Sequence, residues 1–444
     1  MWNESMLLTD FAAWSVQPES CRHAPSIELA RSALLDTLGC MIAGRREPQI
    51  RMVADAMIAA GNADEALSST DTPRYSKPAT ALINGSAIHI LDFDDYEVPA
   101  STHPSAPILG ALSAFTDRSD FTLGQLLEAF IAGYEIVVRM GQALGGYDHY
   151  MAGWHATSTV GPFGAAASTA RFLGLDAQQT TNALAIATSM SAGLKAQFGT
   201  DTKALQAGLA ARAGVEATVL AKAGLSASST VLGGAYGYLA RYGGSQPLAS
   251  HCMKGQMQAL SAYPILRKPW PSCAYSHRSI EAALAISADP DFSPSQVRAG
   301  SIRIAEPYSR VVPFKSPKST AEARFSLTWC VAVALVDGVV STDSFSDSAL
   351  ERTNVQEMMS RLTVDVYTPP PSLSDMSPDA PDTVTLTMAN GTKISHCVKH
   401  VKGGAENPLT KSEVREKFLM CGGTIETAQQ VLDGSLNQPF QFFA

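Results

Sequence analysis

The hydrophobic pattern changes once along the chain, and this change constrains the fold more than any other feature. From about residue 5 to 260, apolar residues recur at the three-and-four spacing of an amphipathic helix, as in Ile27, Ala30, Leu34, Leu38 and Met41. After Pro269, short runs of alternating β-branched residues occur at 301–308, 362–370 and 383–398. We therefore predict an all-helical portion followed by an α+β portion.

Local signals refine this division. Asn390-Gly391 lies between two alternating segments and predicts a hairpin with a type I′ turn. Helical segments at 279–287 and 322–338 lie between the strands. A helical sequence pattern returns near residue 409, where Thr410 and Glu413 form a capping box. Because the 444 residues exceed the roughly 250–300 at which one core stops growing, we expect two domains.

Charge and cysteine usage exclude several classes of protein. The net charge of −8 is spread along the chain without a basic stripe, which argues against a nucleic-acid partner. The start of the sequence lacks the pattern of a secretory signal, and no apolar run approaches the about 18 residues of a membrane span. Seven cysteines without a CxxC pair are typical of buried thiols in a reducing compartment. We expect a cytoplasmic protein that contacts neither nucleic acid nor membrane.

The segment 89–105, HILDFDDYEVPASTHPS, concentrates four acids, two histidines and a tyrosine. If the preceding helix continues, Asp92 and Asp95 share one helical face, whereas His103 precedes a proline and is held extended. The segment has two other interpretations. One is helix capping beside a surface histidine, and the other is a divalent metal ion bound by His89 and the three aspartates, although no common ligand spacing is present.

Three further groups carry chemistry-bearing residues. His149 and His155 precede a Gly-rich helix start, where backbone N–H groups attract an anion. Lys203 lies among small residues, and 266–283 places Lys268 and His277 at the inferred domain junction. The alternatives are histidines satisfied inside the core and lysines solvated at the surface.

Common cofactor and nucleophile motifs are missing from the sequence. The dinucleotide pattern GxGxxG after a strand, the phosphate loop GxxxxGK and the nucleophile elbow GxSxG do not occur. The histidines, lysines, aspartates and tyrosines that remain favour general acid–base chemistry on an anion.

The order of these motifs resembles the MmgE/PrpD family over nearly the whole chain. The matching features are LDFDD, THPS, a Gly-rich helix after a histidine, and KPxPxC followed by a histidine. Further similarity lies in DTLGCMIAG (36–44), AEARFSL (321–327) and ENPLTKSEVREKF (406–418).

The resemblance implies a fold, an assembly and a set of site residues. It implies a large helical domain formed by 1–266 and 403–444, a smaller α+β lid domain at 267–402, a homodimer, and a site in the cleft that needs no metal or organic cofactor. The family's site positions fall on Asp92, His103, His155, Lys203 and Lys268.

The chemistry that follows is proton transfer next to a carboxylate of a small polycarboxylate substrate. We expect His103 and Lys268 to act as acid and base, with Asp92 orienting His103. Carboxylate binding is assigned to His155 and Lys203, and weaker roles as substrate contacts or second proton donors to Tyr96, Tyr147 and Tyr150.

One position departs from the family's dehydratases and decarboxylases, which resemble LDFDDT with a histidine soon after. Here Tyr96 and Glu97 follow the acids, and the chain is shorter. Within the family, the sequence is therefore most similar to an iminodisuccinate epimerase. The alternative is a dehydratase or decarboxylase of a citrate-type acid, such as 2-methylcitrate or cis-aconitate. Outside the enzymes, an organic-acid-binding protein or a purely structural helical protein would need no paired Asp92 and His103.

Overall fold

Helices dominate the computed structural model, which describes residues 7–64, 74–115, 121–243, 258–370 and 375–442. One short antiparallel pair, β1 (Ala63–Asp64) and β2 (Arg74–Tyr75), interrupts the first part. Its helices are α1 (Leu7–Ser15), α2 (Ala24–Gly44), α3 (Pro48–Ala59), α4 (Lys77–His89), α5 (Ser105–Ser113), α6 (Leu123–Ala143), α7 (Tyr147–Met151), α8 (Ala156–Phe172), α9 (Ala177–Ala187), α10 (Asp201–Lys222), α11 (Tyr238–Tyr242) and α12 (Ala259–Ala262).

The second part mixes helices and strands, as the change of hydrophobic pattern predicts. Its strands are β3 (Val297–Ala305), β4 (Leu362–Tyr367), β5 (Asp382–Met388) and β6 (Lys393–Val398). Its helices are α13 (Ala274–Ser287), α14 (Glu306–Ser309), α15 (Thr320–Ala323), α16 (Leu327–Asp337), α17 (Asp347–Leu350), α18 (Thr353–Ser360), α19 (Lys411–Met420) and α20 (Ile425–Asp433). The predicted fold class, a helical portion with an α+β portion, is confirmed.

Small residues let the central helices of the first part pack closely. A Cβ atom on Gly208 of α10 would lie 2.2 Å from the carbonyl oxygen of Leu82 in α4. A Cβ atom on Gly214 would lie 2.2 Å from the Cβ of Ala165 in α8. These helices therefore approach one another at distances that only glycine permits, and α10 is fixed between the two helices whose ends carry site residues.

The four-stranded sheet has the order β4-β3-β5-β6, with β4 parallel to β3 and the other pairs antiparallel. α13 and α16 contact the sheet and each other. The predicted hairpin joins β5 and β6, but the type I′ turn is wrong, because Gly391 has a positive φ of 86° and Asn390 does not. The Gly391 N–H instead closes a turn on the carbonyl of Met388 at 2.9 Å, leaving one left-handed residue after the turn.

The last two helices return to the first part of the chain. Thr410 and Glu413 form the predicted capping box at the start of α19. α19 and α20 both contact α2, and Phe418 and Val431 belong to the buried cluster of the helical part. A second buried cluster fills the α+β part. The exact domain boundaries at residues 267 and 402 stay a prediction.

The six described cysteines are free, and all except Cys397 are buried. Cys252 lies outside the described residues. In the described ranges, no helix combines the length and apolar character that crossing a bilayer requires.

Candidate active site

A cavity of about 490 Å³ lies where the helical part meets the α+β part. We call it the catalytic cavity. Six residues selected from the sequence line it together: Asp92, Tyr96, His103, Tyr150, His155 and Lys203. The opposite part of the chain contributes Cys273, Tyr275, Phe325, Asp375 and Met376.

The loop after α4 presents Asp92 to the catalytic cavity. α4 ends at His89, so the expectation that Asp92 and Asp95 share a helical face is wrong. Asp92 instead takes a left-handed conformation with a φ of 50°. From the C-terminal helix α19, Lys417 holds this loop by donating a hydrogen bond to the carbonyl of Phe93 at 2.7 Å.

Backbone strain is concentrated at the catalytic cavity. Among the described residues, three residues other than glycine have positive φ angles, namely Asp92, Ser101 and Met376. All three line the catalytic cavity. Such conformations cost on the order of 1–3 kcal/mol each and cluster at functional sites, so their coincidence marks this cavity independently of its side chains.

Asp92 forms a buried ion cluster with two lysines. Its Oδ1 lies 2.5 Å from the Nζ of Lys268 and 3.1 Å from the Nζ of Lys203. Burial alone raises the pKa of Asp92, but the two positive charges outweigh burial and hold it well below the usual range. Burial lowers the pKa of Lys203 despite the partly compensating charge of Asp92.

The expected pairing of Asp92 with His103 is therefore corrected. The fully buried Lys268 is the partner of the Asp92 carboxylate instead, and its Nζ also donates to the Asp92 carbonyl oxygen at 2.9 Å. Lys268 does not line the catalytic cavity and reaches it only through Asp92. The carboxylate nearest His103 is Asp94, with its Oδ2 3.5 Å from the Nδ1 of His103.

His103 is held in one tautomer by the LDFDD loop. Its Nδ1 lies 2.8 Å from the carbonyl oxygen of Asp95, which can only accept a hydrogen bond, so Nδ1 carries the hydrogen. Burial lowers the pKa of His103 to about 4, although Asp94 opposes this shift. At neutral pH His103 is therefore uncharged, and Nε2 is its basic nitrogen.

His155 and His89 are oriented in the same way. The Nδ1 of His155 lies 2.5 Å from the Oε1 of Gln206, and the Nε2 of that amide donates to the carbonyl of Leu194 at 3.3 Å. The Nδ1 of His89 donates to Asp94 at 2.7 Å. The Nε2 atoms of both histidines are buried without a hydrogen-bond partner among the described residues.

The three imidazoles form one cluster. The ring of His89 lies 4.6 Å from that of His103 and 5.7 Å from that of His155, measured between centroids. Burial lowers the pKa of His89, and burial together with nearby positive groups lowers that of His155 further. Sequence analysis gave His89 and Asp94 no role in proton transfer, although both lie in the segment that it singled out.

One group of possible metal ligands occurs in the described residues, consisting of His89, Asp94 and His103, with ligand atoms within 4.8 Å of one another. Both histidines already use Nδ1 in hydrogen bonds, to Asp94 and to the carbonyl of Asp95. The geometry is that of a hydrogen-bonded network, and metal binding through these nitrogens would break it. Independence of metal and cofactor stays a prediction.

The α+β wall of the catalytic cavity carries groups that sequence analysis missed. Tyr275 donates to Asp375 at 2.8 Å, and Ser101 donates to the same carboxylate at 3.1 Å. Burial raises the pKa of Asp375, and it raises that of Cys273 to about 12, which keeps the thiol protonated. No spacing in the sequence signals these contacts, because Tyr275 and Asp375 are far apart in the chain.

The remaining candidates are placed less favourably. Tyr150 lines the catalytic cavity, whereas Tyr147 does not and stacks on Tyr150 with 6.4 Å between ring centroids. Both nitrogens of His149 are bonded, to the carbonyl of Tyr242 and to the hydroxyl of Thr159, each at 2.8 Å. His149 is therefore a structural residue.

The fold pairs a predominantly helical part with an α+β part, and a buried cluster of lysines, histidines and carboxylates lies between them. Sequence models of the MmgE/PrpD N-terminal domain and of the MmgE/PrpD C-terminal domain match residues 9–251 and 270–436. The chain belongs to the MmgE/PrpD family.

Within this family, the chain is similar to several cis-aconitate decarboxylases. The cis-aconitate decarboxylase of Mus musculus is 29% identical over 381 residues, which cover 81% of this chain and 76% of the relative. The corresponding enzyme of Homo sapiens is 29% identical, covering 88% of this chain and 82% of the relative. The cis-aconitate decarboxylase of Aspergillus terreus is 24% identical, covering 91% and 86%. These relatives are named for decarboxylation, so they favour the lyase alternative over the epimerase expected from the sequence.

Proposed function

We propose that the protein is a lyase that removes one carboxylate of a small unsaturated polycarboxylate, of the cis-aconitate class, as CO₂. The observation that carries the proposal is a set of buried polar atoms beside His103: Lys203 Nζ, His155 Nε2 and Asp92 Oδ2 make no hydrogen bond within the described residues. Lys203 Nζ has an ionic contact with Asp92 Oδ1 at 3.1 Å but no hydrogen bond. Buried polar atoms without hydrogen bonds are costly, and a carboxylate of an anionic substrate supplies an acceptor for Lys203 and, once its Nε2 is protonated, for His155.

The shared carboxylate of Asp92 leaves room for an anionic substrate at Lys203. Lys203 and Lys268 both pair with Asp92, while the nearby ionised carboxylate of Asp94 is hydrogen-bonded to His89. A carboxylate that approaches Lys203 and His155 raises the pKa of His155, so its Nε2 takes up a proton and donates to the anion. Substrate binding therefore satisfies both groups at once.

The proposed reaction requires one proton delivered to carbon. The C–C bond to the departing carboxylate breaks, and its electron pair enters the conjugated system of the remaining carboxylates, where Lys203 stabilises the charge. The approach of the polyanion raises the pKa of His103 from its low value in the free protein, so its Nε2 binds a proton and gives it to the carbanion. The carbonyl of Asp95 holds the Nδ1 hydrogen in place throughout.

Epimerisation of iminodisuccinate is the second candidate, and a specific observation favours it. The free protein holds His103 neutral with an unprotonated Nε2, which is the state of a base that removes an α-proton. The second face then needs an acid, and Tyr150 and Tyr275 line the same cavity. Tyr96 and Glu97, where decarboxylases of the family resemble LDFDDT with a histidine soon after, point in the same direction.

Proton NMR in D₂O separates the two reactions. Chelator-treated protein is incubated with cis-aconitate, 2-methylcitrate and each stereoisomer of iminodisuccinate. The proposal expects CO₂ release from cis-aconitate and one deuterium in the product, with loss of both in His103→Gln but not in the matched surface variant His400→Gln. Deuterium entry with interconversion of iminodisuccinate stereoisomers, and no CO₂ from cis-aconitate, would refute the lyase in favour of the epimerase.

A further inference from the structure

A second, smaller chamber of about 380 Å³ adjoins the catalytic cavity. We call it the Arg324 chamber. It shares Asp92, Lys203 and Phe325 with the catalytic cavity. Arg324, Glu47 and Asp201 line the chamber but not the catalytic cavity. Toward the surface, Gln49 and Arg324 also line a wider groove of about 1000 Å³, so the chamber has its own route to solvent.

Arg324 is the most unusual cation of the described chain. It is only 5% exposed, its Nε has no hydrogen-bond partner, and no described carboxylate forms an ion pair with its guanidinium. Its one side-chain contact of note is the ring of Phe345, 5.6 Å from the guanidinium carbon. By contrast, the buried guanidinium of Arg278 donates to the carbonyls of Ala380 and Met376.

A bound anion would stabilise a buried guanidinium that has no ion-pair partner, because arginine does not lose its proton in proteins. Another feature of the Arg324 chamber points to the same ligand. α10, a helix of 22 residues, begins at the chamber without a side-chain cap on its N–H groups. A helix start of this kind attracts negative charge.

We propose that the Arg324 chamber is a second binding site for the carboxylate of a small organic acid, separate from the catalytic cavity. A carboxylate accepts two parallel hydrogen bonds from a guanidinium. Glu47 and Asp201 also line the chamber, and their negative charges disfavour a phosphate dianion relative to a singly charged carboxylate. The site does not depend on which reaction the catalytic cavity performs.

Calorimetric titration with succinate tests the number of sites. The wild-type protein is expected to bind two succinate molecules per chain. Arg324→Gln should lose the chamber site, weakened at least about tenfold by loss of the charged hydrogen bonds, and keep the cavity site. His155→Gln should lose the cavity site and keep the chamber site. One site in the wild type that His155→Gln abolishes, or two sites retained in Arg324→Gln, would overturn the proposal.

Thermal melting distinguishes ligand binding from a structural role of Arg324. In the His155→Gln background, succinate should raise the melting temperature, and the added Arg324→Gln substitution should remove this effect without lowering the melting temperature in succinate-free buffer. Acetate, which carries a single charge, should also raise the melting temperature, and inorganic phosphate at the same concentration should give less than half of the acetate shift. A lower melting temperature with an unchanged succinate shift would assign Arg324 to the structure alone, and an equal phosphate shift would contradict the preference for carboxylate.

Discussion

Replacing Asp92 with asparagine should destabilise the protein strongly and in a pH-dependent way. Among the described residues, Asp92 is the only carboxylate that forms an ion pair with the buried Lys268 and Lys203, at 2.5 and 3.1 Å, and the change removes it. Breaking a buried ion pair by removing one partner costs about 3–5 kcal/mol. The lysines can limit this cost by losing a proton, which at pH 7 requires about 5 kcal/mol for a group with an ordinary pKa near 10.4. We therefore expect Asp92→Asn to lose about 3–5 kcal/mol of unfolding free energy at pH 7.

The sign of the pH dependence follows from the lysines. In the variant, loss of the Asp92 charge lowers the pKa of Lys203 further below its unfolded value, so the destabilisation is complete at low pH and disappears as pH approaches 10.4. At pH 9.5, neutralising one lysine costs only about 1 kcal/mol, and the loss should shrink accordingly. Equilibrium urea unfolding at both pH values measures this difference.

A matched control separates charge from the loss of a buried aspartate. Asp382 is also buried and accepts a hydrogen bond from Ser279 at 2.7 Å, but burial raises its pKa to about 7. With this pKa Asp382 is about half ionised at pH 7, and its charged form is disfavoured by folding. Asp382→Asn should therefore cost less than about 1.5 kcal/mol, the usual size of one neutral hydrogen bond. A loss in Asp92→Asn that is equal at pH 7 and 9.5, or no larger than that of the control, would refute the buried-charge argument.

Three further predictions address the loop, the packing and the histidine cluster. Burial raises the pKa of Asp95 to about 8, so the folded chain holds a proton that the unfolded chain releases between about pH 4 and 8; the melting temperature of Asp95→Asn relative to the wild type should therefore rise from pH 5 to pH 8, and a constant difference would contradict this. Gly214→Ala places a methyl group 2.2 Å from the Cβ of Ala165 and should lower the unfolding free energy by about 1–3 kcal/mol, whereas an unchanged urea midpoint would show that α8 and α10 separate freely. Gln206→Met removes the acceptor that orients His155 and should raise KM roughly tenfold with little change in kcat; initial rates that show the reverse would place His155 in the chemical step instead.

Sequence patterns identified the elements well where the signal was local. The helical spacing before residue 260, the strands after Pro269 and the capping box at Thr410 all depend on neighbouring residues, and each occurs in the structure. The hairpin was predicted at the right place with the wrong turn, because the Asn-Gly pair also fits a turn with only its glycine left-handed. The end of α4 was missed because the acids after His89 resemble a continuing helical face.

The site was predictable as a set of residues but not as a set of contacts. Asp92, His103, His155 and Lys203 do line one cavity, and the motifs named them without any knowledge of distance. The partner of Asp92 was wrong, because Lys268 is remote in sequence and only the folded chain brings its Nζ to that carboxylate. Roles in catalysis and substrate binding stay predictions that the variants above test.

Two motifs that are remote in sequence stabilise the loop that carries Asp92. Asp36 lies in the segment DTLGCMIAG and Lys417 in the C-terminal tail, and they form a buried ion pair at 2.8 Å. The same lysine donates to the carbonyl of Phe93 and lies 3.9 Å from the centre of its ring. A residue with a positive φ, such as Asp92, persists only where its surroundings over-determine it. These two segments, far from the catalytic cavity in sequence, therefore act by holding Asp92 in the conformation that meets both lysines.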